Sequence, residues 1–311
     1  MDSKIVIRRA RPEDVPELQS FTRNTFTWGD YVADALPEWL NEPGDLWVAD
    51  AAGKPVGVNH VRYLSEDEAW FEGVRVHPDY RRLGIGRLLT ETSIRKARER
   101  GARLVRVSID GDNFRSQGMS QSIGFILVDE LIDLHKELPA GLATAADQTA
   151  IDGITVVAAS PSDAGLLAEE AAKSIAYTGC DYTWRKVGKK SVLTDLTNGV
   201  RVMMAKDADG AIRGGTWFGS FFVEPDNEQG GRMTVMAELG SIFGDEPAIR
   251  VLVHWAENTL AEKRDRDELP AAKLFVNCRK SIPARSILPT LGFRPEEHGL
   301  GLWELSLLVR E

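Results

Sequence analysis

Residues 69–89 read AWFEGVRVHPDYRRLGIGRLL, and the types and spacing in the second half of this stretch suit the binding of a diphosphate. A strand-like run, Trp70 to Val76, ends at His77-Pro78. Arg81-x-x-Gly84-x-Gly86 follows, and then a helix in which Ile85, Leu88, Leu89 and Ala97 recur at helical spacing. Glycines at a strand-to-helix turn let several backbone N–H groups converge on one concavity, and the helix N-terminus adds about half a positive charge there. Arg81, Arg82 and Arg87 add cationic charge, and no acid stands between Arg81 and Leu89. The glycine spacing taken alone fits equally a plain strand-to-helix turn with solvated arginines. The loop also lacks the lysine of a nucleotide-hydrolysing phosphate loop, which disfavours ATP hydrolysis.

The surrounding pattern must hold this loop in place. It predicts a strand at 4–9, helices at 12–25 and 30–41, strands at 45–50, 55–63 and 69–76, a helix at 84–100, a strand at 103–109, a helix at 113–123 and a closing strand pair at 125–137. This is a mixed α/β class with a largely antiparallel meander and one crossover helix. The turn Ser65-Glu66-Asp67-Glu68, closed by Leu64 and Ala69, places Val61 opposite Glu72; a slip of one residue would place His60 there instead. No chemistry is assigned to His60 or His77.

His77-Pro78-Asp79-Tyr80-Arg81, the glycine loop, the Leu88-Leu89 helix, and Asn113 followed eleven residues later by Gly124-Phe125 together resemble the GNAT superfamily of acyl-CoA-dependent N-acetyltransferases. The resemblance covers most of residues 4–137. It implies that acetyl-CoA is the cosubstrate, with no metal. It also implies that the backbone from Arg82 through Leu83, Gly84, Ile85 and Gly86 to Arg87, with Arg81 beside it, holds the pyrophosphate. The pantetheine arm would lie along Val74 and Val76, held from the next helix by Asn113. Glu72 occupies the strand position where many such enzymes keep a carboxylate base, acting through water. The oxyanion of the tetrahedral intermediate would be met by a backbone N–H near Val74. The family often places a tyrosine seven residues after the asparagine as general acid. Here that position is Ser120, a small residue on an amphipathic helix that is either a weak proton donor or plain packing. Trp28, Asp30, Tyr31 and Trp39 fall where the acceptor is usually covered, and the run resembles a subgroup that includes histidine α-amine acetyltransferases. Rings with one carboxylate suit a small amine, and equally suit helix packing.

The chain also repeats itself weakly. Ile5 to Asp14 reads IVIRRARPED and Ile154 to Asp163 reads ITVVAASPSD, and Gly124-Phe125 has a counterpart in Gly292-Phe293. The expected organisation is two tandem GNAT-like domains: 1–140 catalytic, 141–153 an Ala/Gly/Thr-rich linker, and 154–311 a degenerate copy. In that copy the strand Met233 to Leu239 leads to GSIFGDEP, whose Asp245 and Glu246 repel a diphosphate and whose Pro247 removes an N–H. Glu238 is read as a surface or interdomain acid, with a relic of the base position as the alternative.

Composition bounds the rest. At 311 residues, with 38 Lys+Arg against 47 Asp+Glu and a net charge of −9, the chain is an ordinary acidic globular protein, unsuited to sequence-independent nucleic-acid binding. Two isolated cysteines, Cys180 and Cys278, exclude a disulfide framework and indicate a reducing compartment. With no signal-like or membrane-length apolar run, the expectation is a cytoplasmic monomer or homodimer without membrane or nucleic-acid partners. The expected reaction is direct acetyl transfer to a primary amine of an amino acid or related small molecule. A protein N-terminal or lysine amine is the alternative acceptor, and a non-catalytic acyl-CoA sensor or scaffold the alternative class.

Overall fold

The computed structural model describes residues 4–23, 25, 30–139, 150–226, 231–279, 283–296 and 299–307. Trp28 and most of the expected linker lie outside these residues. Two compact units emerge, the first comprising residues 1–128 together with the stretch from Gly301 onward, the second Asp129–Leu300.

In the first unit, β1 (Ile5–Arg9) is followed by α1 (Val15–Thr22), α2 (Val32–Trp39), β2 (Gly44–Ala51), β3 (Lys54–Tyr63), β4 (Glu68–Val76), α3 (Ile85–Glu99), β5 (Leu104–Asp110), α4 (Phe114–Ile123) and the start of β6 (Ile126–Leu138). The second unit holds the rest of β6, then β7 (Ala150–Ile151), β8 (Ile154–Ala158), α5 (Ala164–Ala172), β9 (Tyr177–Cys180), β10 (Thr183–Lys186), α6 (Lys189–Thr197), β11 (Arg201–Lys206) and β12 (Ile212–Phe218). It continues through β13 (Phe222–Asp226), β14 (Arg232–Gly244), α7 (Glu246–Arg266), β15 (Ala271–Arg279), α8 (Ala284–Ile287) and β16 (Arg294–Pro295). The last strand, β17 (Leu300–Ser306), passes back into the first unit. The mixed α/β class is as the periodicity predicts. Residues 126–138 form one long strand rather than the expected pair, because Leu131, Leu134 and Leu138 are buried without an intervening turn signal.

In the first unit β1 to β5 follow one another in order across the sheet, with β17 next to β5. Strands β1 to β4 are antiparallel, whereas β4 and β5 are parallel and joined by the crossover helix α3. One face packs on α3 through Phe71, Leu89, Ile94 and Val105. The other packs on α1 and α2 through Leu18, Leu36, Trp39 and Val58. The P-x-D signal of the repeat has a physical counterpart in each unit. Pro12–Asp14 and Pro161–Asp163 are single 3-10 turns whose aspartates accept from the backbone N–H of Arg11 at 2.8 Å and of Ser160 at 2.9 Å.

The sequence reading placed residues 301–311 with the second copy, whereas the contacts place the strand from Gly301 in the first unit. Arg106 on β5 is 1% exposed and pairs with Glu68 at 3.3 Å and with Glu304 of β17 at 2.9 Å. Trp303 and Leu307 enter the same core as Phe71. A buried guanidinium requires carboxylates close by, and one of them comes from almost 200 residues away in sequence (separation 198).

The hairpin also differs from expectation by one residue. Tyr63 pairs with Ala69, Val61 with Phe71, and His60, not Val61, with Glu72. The cause is at the turn, where the N–H of Leu64 donates to Glu68 O and draws one more residue into the ladder. Beyond Glu72 the register shifts, since Val58 pairs with Arg75: Gly73 and Val74 together stand opposite Asn59. This is a β-bulge, and it requires a glycine. Gly73 has φ of +67°, and a Cβ there would lie 2.6 Å from Trp39 Cη2. Gly73→Ala therefore carries both a left-handed backbone penalty and a clash, and is expected to destabilise the protein by about 2–4 kcal/mol, read as a lower urea midpoint.

Candidate active site

The β4–β5 ladder pairs Glu68 with Leu104, Ala69 with Val105 and Trp70 with Arg106; the bulge begins three residues later. From there a cavity of about 430 Å³ opens. Val74, Arg75 and Val76 line it from β4, Arg81, Arg82 and Gly84 to Arg87 from the loop and α3, and Asn113, Arg115, Ser116 and Met119 from the start of α4. Of the expected cosubstrate residues, Val74, Val76, Arg81, Arg82, Gly84, Ile85, Gly86, Arg87 and Asn113 thus stand around one space; Leu83 is outside its lining and 66% exposed.

The loop is shaped for an anion. Arg82 and Gly84 adopt φ of +68° and +75°, and Gly84 opens α3 without a side-chain cap, leaving the first N–H groups of the helix for a ligand. Beyond Gly84 and Gly86 a Cβ would meet nothing within 3.6 Å, so these glycines serve the backbone turn and close approach of a ligand rather than packing. Asn113 caps α4, its Oδ1 accepting from Ser116 N at 3.1 Å. The lining residues that sequence reasoning missed are Thr25, Arg75, Tyr80, carried by the 3-10 turn Pro78–Tyr80, and Arg115, Ser116 and Met119 in the first two turns of α4.

On the α1–α2 face of the bulge lies a second cluster. Glu72 Oε1 is 2.8 Å from His60 Nδ1 and 3.3 Å from Arg62 Nε. The His60 ring is fully buried and stacks on Trp39, with centroids 4.5 Å apart and planes 14° from parallel. Asp30 does not stand free for an acceptor. Its carboxylate receives Arg75 Nε at 2.6 Å and Nη2 at 3.0 Å, and its Oδ1 also receives Val32 N at 3.0 Å. Tyr31 is half-exposed, edge-on to Trp39 and close to the Arg75 guanidinium. Just past the end of α2, burial and the charge of Glu38 push the Glu42 carboxyl above its ordinary range. Ser120 is buried on α4 and is not among the residues lining the cavity.

A sequence model of the acetyltransferase (GNAT) family matches residues 13–125. This stretch is a GNAT domain. A mycothiol acetyltransferase from Propionibacterium freudenreichii is 30% identical over 108 residues, which are 33% of this chain and 34% of that protein, so the match spans about a third of its curated relative. Among solved structures, a tandem GNAT protein from the clavulanic acid biosynthesis pathway aligns over 99% of this chain and 100% of its own, with a TM-score of 0.62 at 16% identity. A GCN5-related N-acetyltransferase from Sphaerobacter thermophilus aligns over 98% and 96%, with a TM-score of 0.59 at 16% identity. At such identities these two establish the fold, which is that of tandem GNAT proteins.

The GNAT domain's bulge recurs in the second unit. Thr216 pairs with Ile242 and Phe218 with Leu239, leaving one extra residue on β14. Asn59 reaches Ser93 on α3 while His60 stacks on α2; Phe218 meets Trp255 on α7 while Trp217 donates to Asp195 on α6. In the register about the bulge, Glu72, the residue before it, matches Leu239, and Gly73 matches Gly240. No side chain fits at Gly240, where a Cβ would lie 2.3 Å from Gly179 O and 2.8 Å from Cys180 Cβ of the β9–β10 hairpin. Glu238 lies one residue before Leu239, ahead of the bulge. Strand β14 also runs to Gly244, past the expected end at Leu239, so a single residue, Asp245, separates it from α7 and no loop remains. Asp245 caps that helix, accepting from Ala248 N at 3.0 Å. The gap beside Ser241, Ile242 and Asn277 holds only about 10 Å³.

Glu238 is fully buried, receiving Asn277 Nδ2 at 2.9 Å and Tyr182 N at 3.4 Å, and burial pushes its carboxyl up to about 7. Because the folded-state value is raised, the unfolded chain releases this proton first as pH rises. The contribution of Glu238 to stability is thus complete below about pH 4.5 and is lost on the way to pH 7. Glu238→Gln should match the parent near pH 5 and exceed it by up to about 3 kcal/mol at pH 8, read from urea midpoints at both pH values.

Proposed function

We propose that the chain is an acetyl-CoA-dependent N-acetyltransferase acting through its GNAT domain on a primary amine of an amino acid or related small molecule, with the second unit a degenerate copy retained for packing. The observation that carries this is the conjunction at one bulge. A cavity with an open helix N-terminus and arginines lies on one side, and a carboxylate held by His60 and Arg62 lies on the other. The cavity suits a diphosphate with an extended arm: N–H groups from Arg82 to Arg87 receive the phosphates, and the backbone of Val74 and Val76 receives the arm.

Glu72 then accepts, through water, the proton of the incoming ammonium, and the neutral amine attacks the thioester carbon. A bulge leaves backbone groups out of the ladder, and the N–H near Val74 is the donor for the oxyanion. The leaving thiolate, with a pKa of about 8.5, needs only a weak acid, so a water suffices where the family often has a tyrosine. Transfer is direct, since Cys180 and Cys278 both belong to the second unit. Tyr31 and Trp39 shape the acceptor side, with the Asp30–Arg75 pair as its floor. No described helix is long and apolar enough to cross a membrane, and we place the enzyme in the cytoplasm as a monomer or homodimer.

Two measurements test this reading. Titration calorimetry should return one acetyl-CoA site per chain, and two equivalent sites would overturn the assignment of the second unit. In an assay of CoA thiol release with the twenty amino acids and simple amines, Glu72→Gln should lower kcat by about 10²–10⁴-fold without weakening acetyl-CoA binding. Acetyl-CoA binding with no turnover across the panel would favour a sensor or scaffold, and parental turnover by Glu72→Gln would remove Glu72 from the mechanism.

A further inference from the structure

We infer that His60 is a positioning residue for Glu72, acting as a neutral imidazole in its Nδ1–H tautomer. The inference rests on the reading of Glu72 as the base. Nδ1 lies 2.8 Å from Glu72 Oε1, and a carboxylate oxygen so close requires a donor, which places the proton on Nδ1. Nε2 is buried with no hydrogen-bond partner among the described residues, so a proton there would be an unsatisfied buried donor, whereas a bare lone pair costs less. The imidazolium is disfavoured by the same argument, because it would bury a charged N–H with nothing to receive it.

The ring has little freedom to do otherwise. Trp39 covers one face. At its edge, a Cβ on Gly44 would lie 3.0 Å from Nε2, so the glycine is what admits the imidazole. Trp39 also closes over Gly73. One indole thus contacts both the bulge glycine and the imidazole that holds the carboxylate. Arg62 reaches the same oxygen at 3.3 Å from a partly exposed position, which leaves the His60 contact as the shorter and drier of the two. A carboxylate with one oxygen held in this way turns the other in a fixed direction, and a misplacement of about 1 Å at such a group costs as much as a hundredfold in rate.

The test uses the full chain with ¹⁵N-labelled histidine. Nitrogen NMR should show His60 protonated at Nδ1 and bare at Nε2 in the parent, with that pattern disturbed in Glu72→Gln. A His60 protonated at Nε2, or at both nitrogens, in the parent would overturn the inference. Kinetics with the best acceptor of the amine panel supply the second readout. His60→Phe keeps an aromatic ring but no donor, and should lower kcat ten- to a hundredfold at unchanged KM for acetyl-CoA. His60→Asn keeps an N–H donor at the position of Nδ1 and should recover most of that loss. Parental kcat in His60→Phe, while Glu72→Gln is inactive, strikes His60 alone; parental kcat in Glu72→Gln strikes the base reading and this inference with it. If His60→Phe does not fold, His60→Asn decides: turnover near the parent's supports the role of the donor, and a fall to the level of Glu72→Gln overturns it.

Discussion

The β-bulge at Gly73–Val74 is the constraint on which the rest of the GNAT domain depends. One extra residue on β4 turns the strand away from its ladder, and the described pairing with β5 goes no further than Trp70 and Arg106. The cavity opens beside Val74, between β4, the start of α3 and the start of α4. Just before the bulge, in the register set at the Leu64 turn, Glu72 stands across from His60, and the imidazole stacks on Trp39. Cosubstrate slot and candidate base thus adjoin a single backbone irregularity, and the left-handed glycine at its centre leaves no room for another residue type.

Comparison of the two units shows what the bulge does not supply. The second unit keeps the bulge, the crossover helix and the parallel pair β14–β15, yet the gap beside Ser241, Ile242 and Asn277 holds only about 10 Å³. The difference lies in what surrounds the bulge. Eight residues separate Val76 from Ile85 in the first unit, against the single Asp245 in the second, and that aspartate occupies the helix N-terminus that a phosphate would need. The β9–β10 hairpin also presses against Gly240, the first residue of the second bulge. A shared sheet geometry is thus compatible with a binding site or with a packed core, and the connecting loops decide which.

Much of this was legible in the sequence because it is local. The glycine–arginine loop, the strand before it and Asn113 are short-range signals, and all but Leu83 of the expected cosubstrate residues line one cavity. What escaped depends on register or on distant contacts. A one-residue difference at the Leu64 turn exchanges Val61 for His60 opposite Glu72, and alternation of side chains along a strand cannot by itself detect it. Asp30 reads as a counter-charge for an acceptor, yet it is bound by Arg75, 45 residues away. The return of the strand from Gly301 rests on an ion pair whose members are 198 residues apart, which no local pattern encodes.

Net charge gives a further instance of a global quantity concealing a local one. The sum of −9 disfavours a polyanion spread over the surface, but at physiological salt a charge is felt over only about 8 Å. Within that range the relevant residues are those around the cavity. Arg75, Arg81, Arg82, Arg87 and Arg115 line it, and no described acid does. Two of these are already engaged, Arg75 by Asp30 and Arg87 by Glu91 at 2.7 Å. The excess cationic charge therefore rests on Arg81, Arg82 and Arg115, beside the uncapped start of α3. A compact anion such as a diphosphate meets that patch before it meets the acidic remainder of the surface, whereas a nucleic acid long enough to cross the protein would meet both. The same arithmetic separates the two units, since the second places Asp245 and Glu246 at the corresponding helix start.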